Sequence, residues 1–319
     1  MIQKMKQFCL ASVLCLGFNS LFAQTYPTKQ VRLIVPVEAG SATDNVARLV
    51  AQKLSIIWGQ QVVVDNRPSV NGIIGSDLAA KSPADGYTLL AGNSGTHVMN
   101  VGLYKKLSYD PVKDFSAVAQ LVTSPLVLMG SGHFVPRTVK DIIAHAKGTS
   151  INFATAGATG QLAALMFNSI AKVDIVSIPY KGSSGAETSL LAGDTQLFFA
   201  SISTALPYVA SGKMRTVAVT SLIRSPYLPE VPTLDESGVD GYEMDYWVGL
   251  FAPVGTPKPI LDRINADVMT ALSSPEVRGR ISKMGYVSLS RSPADFQQYV
   301  QTSVVKYGSL MRDLGVKPQ

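Results

Sequence analysis

The chain has 319 residues, 46% of them apolar and 16% charged, a balance that excludes disorder and a length that accommodates two ordinary domains with real cores. Its net charge of +6 is scattered along the sequence, without the basic stripe and interleaved aromatic residues of a nucleic-acid binder. Only two cysteines are present, Cys9 and Cys15, both close to the N-terminus.

The first 23 residues read as a secretory signal: Lys4 and Lys6 form a basic region, Phe8 to Phe18 an apolar one, and Leu21-Phe22-Ala23 a cleavage site before Gln24. The apolar run is shorter than the roughly 20 residues that span a bilayer. Cleavage removes two lysines and both cysteines, so the mature chain carries a charge of +4 and is expected to have no thiol, disulfide or thiolate metal site.

Beyond this point, strand-like runs alternate with helical patterns. Strands are predicted at Val31 to Pro36, Gln61 to Val64, Tyr87 to Ala91, Leu126 to Gly130, Ile151 to Ala154, Ile175 to Pro179, Gln196 to Ala200 and Arg215 to Thr220. Helices are predicted at Asp44 to Ile57, where Val46, Leu49, Val50, Lys53, Leu54 and Ile57 make a stripe, and at Val139 to Lys147, Gln161 to Ala171, Ala186 to Ala192, Pro259 to Leu272 and Pro293 to Asp313. This alternation predicts an α/β fold with mainly parallel sheets. The Pro-rich stretch from Ser225 to Gly241 reads as a surface excursion.

One local pattern recurs four times: an apolar strand, a loop of small residues, then a helix. It occurs at Val31 to Leu49, Tyr87 to Met99, Ile151 to Leu165 and Gln196 to Leu206. Free amides at a helix start, backed by the positive end of the dipole, form a seat for an anion. Gly40, Ser41 and Ala42 are candidates to present such amides, while Thr43 and Asp44 read as helix caps. Asn93, Ser94 and Thr96 form the most polar loop. Ser94 lies in Gly92-Asn93-Ser94-Gly95-Thr96, which lacks the final glycine of a nucleophile elbow, and only His97, His133 and His145 are available as bases. Thr155, Ala156, Gly157 and Thr159 form the third loop, where no complete G-x-G-x-x-G dinucleotide fingerprint exists. Tyr180 is a candidate pocket wall, and Lys181 a partner for a ligand carboxylate or for a rim salt bridge; Ser201 and Ser203 complete the set. Trp247, Tyr246 and Phe251 line the cleft or fill a core, the core reading having the greater weight. No catalytic or metal-ligating constellation emerges, and no cofactor is expected.

Several strings in order carry a family resemblance: YPTKQVRLIVP near the start, DNRP at Asp65 to Pro68, DGYTLLAGNSGTH from Asp85, YDPVKDF from Tyr109, IPYKG from Ile178, SGKMRTVAVT from Ser211 and GLFAPVGTP from Gly249. With these the chain resembles the Bug-type receptors of tripartite tricarboxylate transporters, exported bacterial proteins that bind carboxylates. The resemblance implies a two-lobed periplasmic binding protein of type II, with two crossovers and closure on its ligand like a hinged clam. Lobe 1 is expected over 24–123 and 246–319, and lobe 2 over 124–245. It also implies membrane permease partners. The chain departs from the family in three places: Glu38 brings an acid into the first loop, Gln161 and Leu162 stand where a histidine is common, and no acid stands near Ala200 or Ser201. The missing acid favours a carboxylate without a cationic group, either an aliphatic di- or tricarboxylate or an aromatic acid.

The expected function is therefore capture of a small carboxylate by a monomeric, non-enzymatic periplasmic receptor. A sensor for a membrane signalling partner and, more weakly, an exported hydrolase are the alternatives. Magnitudes are adequate without a dedicated arginine: a helix start contributes about 0.3 to 2 kcal/mol toward an anion and each hydrogen bond to a charged group about 1.5 to 3. Several together reach the roughly 8 kcal/mol of micromolar binding.

Overall fold

The computed structural model describes residues 26–289 and 291–318. The expected signal segment, with Cys9 and Cys15, lies outside them.

The first unit is built on β1 (Val31–Val35), an almost wholly buried strand with β2 (Val62–Asn66) and β3 (Thr88–Asn93) parallel on either side. Between them run α1 (Ala42–Trp58) and α2 (Ile73–Ala80). Helix α1 buries Val46, Leu49, Val50 and Leu54 along one face, as its apolar stripe dictates, and stops at Gly59, whose φ of 61° is the left-handed conformation that ends a helix. After β3 the chain makes a π-helical turn (Gly95–Met99) that runs into α3 (Asn100–Leu103).

The long strand β4 (Phe115–Ser131) joins the two sheets. Its residues Phe115 to Pro125 pair antiparallel with β9 (Asp245–Pro253), which also pairs with β3. From Leu126 onward β4 changes partners and pairs with β7 (Leu197–Ser201) and β8 (Met214–Val219). The second unit completes its sheet with β5 (Asn152–Ala156) between β6 (Val176–Tyr180) and β7, all parallel. Its helices are α4 (Val139–Ala146), α5 (Gly157–Ala171), α6 (Ser183–Ala192) and α7 (Ile202–Ser211). Thus each lobe holds three parallel strands, extended by antiparallel pairing to the crossing strands β4 and β9. The chain closes with α8 (Lys258–Ser273), α9 (Pro275–Lys283), the short β10 (Val287–Ser288) on β4, and α10 (Pro293–Asp313), returning to the first unit.

Several predicted elements lengthen. The strand expected from Leu126 begins at Phe115, the helix expected from Gln161 begins at Gly157, and that expected from Ala186 begins at Ser183. In both helices the added first turn is rich in Gly, Ser and Ala, whose weak interior propensity is tolerated at a start. The Pro-rich excursion is irregular, as expected, yet it is not wholly superficial: Leu234 and Val239 within it are fully buried, and just beyond it the Tyr242 hydroxyl donates to Ala163 O at 2.8 Å. Among the described residues no helix is long and apolar enough to cross a membrane.

Candidate functional site

A cavity of about 110 Å³ lies where the two units face each other, with room for roughly seven to eleven waters. That is the scale of a small organic acid. Helix starts from both sides supply its polar wall. From the first unit come Ser41, Ala42 and Thr43 at the start of α1, and Asn93, Gly95 and Thr96 at the π turn. From the second come Ala156 to Gly160 at the start of α5, and Gly182 and Ser183 at the start of α6.

The caps show which of these amides are committed. Ser41 is the N-cap of α1 and its hydroxyl accepts from the Asp44 amide at 3.4 Å. The Gly40 amide donates to Asp44 Oδ2 at 2.8 Å, and the Ser41 amide to Glu38 O. Ala42 and Thr43 amides have no acceptor among the described residues. Helix α5 follows Ala156 and α6 follows Gly182, neither of which can offer a side-chain cap. Those first turns therefore address the cavity rather than the protein.

Asp44 organises the first loop. Besides Gly40, its carboxylate accepts from Arg48 Nε and Asn66 Nδ2, each at 2.8 Å. Burial opposes its ionisation, but the bonds from Arg48, Gly40 and Asn66 prevail and hold its pKa below the ordinary carboxylate value. It is a structural acid, turned away from the cavity wall.

A buried chain of polar groups supports the lobe-1 wall. Asn93 Nδ2 donates to Thr43 Oγ1 at 3.0 Å, and that hydroxyl pairs with Tyr246 OH at 2.7 Å. The Asn93 carbonyl oxygen of the side chain accepts the Thr96 amide, and Thr96 Oγ1 pairs with His97 Nδ1 at 2.9 Å. His97 is fully buried and stacked on Phe251, with ring centroids 3.8 Å apart. Burial pushes its pKa down to about 3, so it is neutral at physiological pH.

Of the thirteen residues singled out in the sequence, Ser41, Ala42, Asn93, Thr96, Ala156, Gly157, Thr159 and Ser201 come together on the cavity wall. Five stand behind it. Gly40 bonds Asp44; Ser94, fully buried, shares a hydrogen bond of 3.0 Å with Thr159; and Thr155 Oγ1 donates to Ile178 O. The Tyr180 hydroxyl donates to Ser189, and Ser203 links Ser201 to Tyr286. Trp247 and Phe251 are core residues, whereas Tyr246 reaches the cavity. The wall also includes Ser69, Asn71 and Gly72, which sequence reasoning passed over. Their signal was the Asn-Gly pair just after the DNRP string: Asn71 adopts φ 52°, a left-handed turn that Asn tolerates. Leu126, Phe198 and Phe199 form the apolar floor.

Two charged side chains face the cavity, Glu38 and Lys181. Neither forms an ion pair with a described residue. No cluster of metal-ligating side chains occurs among the described residues.

A two-lobed α/β molecule with crossing strands and a cavity walled by helix starts from both halves is a periplasmic binding protein in fold. The chain belongs to a family of transporter receptors: the model described as "Tripartite tricarboxylate transporter family receptor" matches residues 46–316. Three solved structures are similar throughout. The periplasmic binding protein BugD is 33% identical with a TM-score of 0.87, covering 92% of this chain and all of its own. Rpa4515 of R. palustris, solved with adipate, is 34% identical with a TM-score of 0.88 over the same shares. MatC of Rhodopseudomonas palustris, with bound malate, is 32% identical with a TM-score of 0.85, covering 89% of this chain and 99% of its own.

Proposed function

We propose that this protein is a periplasmic receptor that captures a small carboxylate between its lobes and delivers it to membrane permease subunits. One observation carries the reading: helix starts from both lobes, with uncommitted amides and the hydroxyls of Ser41, Thr159 and Ser183, meet on one small cavity. An acid with carboxylates at its two ends would engage α1 and the π turn on one side and α5 and α6 on the other. The adipate and malate of two similar proteins support a ligand of that length. Lobe 1 is taken as 24–123 with 246–319 and lobe 2 as 124–245, a division supported by the change of partners in β4 between Pro125 and Leu126. Closure would turn about β4 and β9 there.

Capture rather than catalysis fits the polar groups. Ser94 Oγ faces Thr159, not His97, and His97 is too weak a base at its lowered pKa to activate a hydroxyl. The test is a calorimetric and thermal-shift panel of aliphatic and aromatic carboxylates against protein that has been unfolded and refolded to strip bound solute. Micromolar binding of at least one acid, without turnover, is expected. Failure of every acid to bind would overturn the reading.

A further inference from the structure

Glu38 is the feature that a site for anions does not explain. It stands on the cavity wall in the first loop of lobe 1, and its carboxylate reaches across to lobe 2: a Cβ placed on Gly182 would lie only 2.1 Å from Glu38 Oε2. That carboxylate accepts no hydrogen bond and forms no ion pair with any described residue. The residue is half-buried beside the opposite lobe. A carboxylate on the wall of a site for anions repels the occupant unless the occupant also presents a donor to it. The charge count agrees. Glu38 and Lys181 cancel in net charge, so two bare carboxylates would be held by helix starts and hydroxyls without a surplus of positive charge.

We infer that the ligand is an acid that also carries a hydrogen-bond donor on its chain, a hydroxyl or an ammonium, and that Glu38 receives that donor. This rests on the capture reading above and narrows its substrate class. In its ammonium form it departs from the expectation, drawn from the missing acid near Ala200, that a cationic group is disfavoured, because an acid stands in the first loop instead. Gly182 has a matching role, since any side chain there would occupy the space that the Glu38 carboxylate uses.

The test compares one four-carbon skeleton in three forms: succinate without a donor, malate with a hydroxyl and aspartate with an ammonium. These are titrated into the refolded parent protein, Glu38→Gln, Glu38→Ala and Lys181→Met. The parent is expected to bind malate or aspartate at least about tenfold more tightly than succinate. If the donor is an ammonium, Glu38→Gln and Glu38→Ala both abolish the preference. If it is a hydroxyl, Glu38→Gln keeps part of it and Glu38→Ala removes it. Lys181→Met weakens all three acids but keeps their ratio, which separates donor recognition from a Glu38–Lys181 rim pair. Tight succinate binding with ratios unchanged in both Glu38 variants would overturn the role of Glu38 and leave carboxylate capture standing. Loss of the preference in Lys181→Met would assign Glu38 to the rim pair and overturn it as well. No binding of any acid by a folded parent would overturn both.

Discussion

The hydroxyl pair Ser94–Thr159 bridges the lobes at the cavity and offers a sharp perturbation. Thr159→Val keeps the shape of the side chain and removes only its hydroxyl. Ser94 is fully buried, with Thr159 Oγ1 3.0 Å away, so the variant strands a buried hydroxyl at a cost of about 1 to 3 kcal/mol. In an open form water would satisfy Ser94, so the cost falls on closure and not on folding. Ligand binding that requires closure should weaken by the same amount, roughly 5- to 150-fold in Kd. Isothermal titration with the tightest-binding acid measures this, and the melting temperature of the ligand-free protein serves as control, expected within about 2 °C of the parent. A Kd within roughly twofold of the parent would refute the argument. So would a Tm loss of equal weight, which would place the bond in the fold itself.

Three further outcomes follow from the same geometry. His97 is held at a pKa of about 3 against an ordinary 6.5, so its contribution to stability is complete above pH 6.5 and is lost as the pH falls toward 3. Between pH 6.5 and 5 this amounts to about 2 kcal/mol, and denaturant titrations of His97→Gln should show a correspondingly flatter pH dependence. Asp44→Ala releases Gly40, Arg48 and Asn66 together and should cost about 2 to 4 kcal/mol in urea unfolding, with ligand affinity falling as the first loop loses its shape. Gly157→Ala places a side chain at φ 70°, which should cost about 1 to 2 kcal/mol of stability by the same method and add a methyl group to the cavity wall.

The sequence disclosed what is local. Apolar strands running into Gly, Ser, Ala and Thr loops are readable because a helix start open to a ligand needs small residues and a strand to position it; Ser41, Asn93, Gly157 and Thr159 were visible for that reason. The stripe of α1 and the extent of the C-terminal helix from Pro293 to Asp313 were equally plain. What escaped was set by distant pairing. Strand β9, DYWVGLFAP, is buried on both faces and so shows no alternation, and its partner β4 is more than a hundred residues earlier. Helix α2 has little amphipathic contrast and contains Gly75, which packs against Pro36 and Arg67. Ser94 illustrates the limit within the site. Its neighbours Asn93, Gly95 and Thr96 line the cavity, but a rotation along the turn decides whether a hydroxyl faces the cavity or the opposite lobe, and composition carries no record of that rotation. Likewise Glu38 read as an intruder in the sequence, and only its reach to Gly182 shows what it faces.

The claim that helix starts of both lobes grip one acid is tested most directly by amide NMR of isotope-labelled, refolded protein titrated with the tightest-binding acid of the panel. The account predicts saturable shifts of the Ala42, Thr43, Ala158, Thr159 and Ser183 amides, in both lobes and with one binding constant. Shifts confined to one lobe, or gathered around the separate pocket lined by His133 and His145, would contradict it.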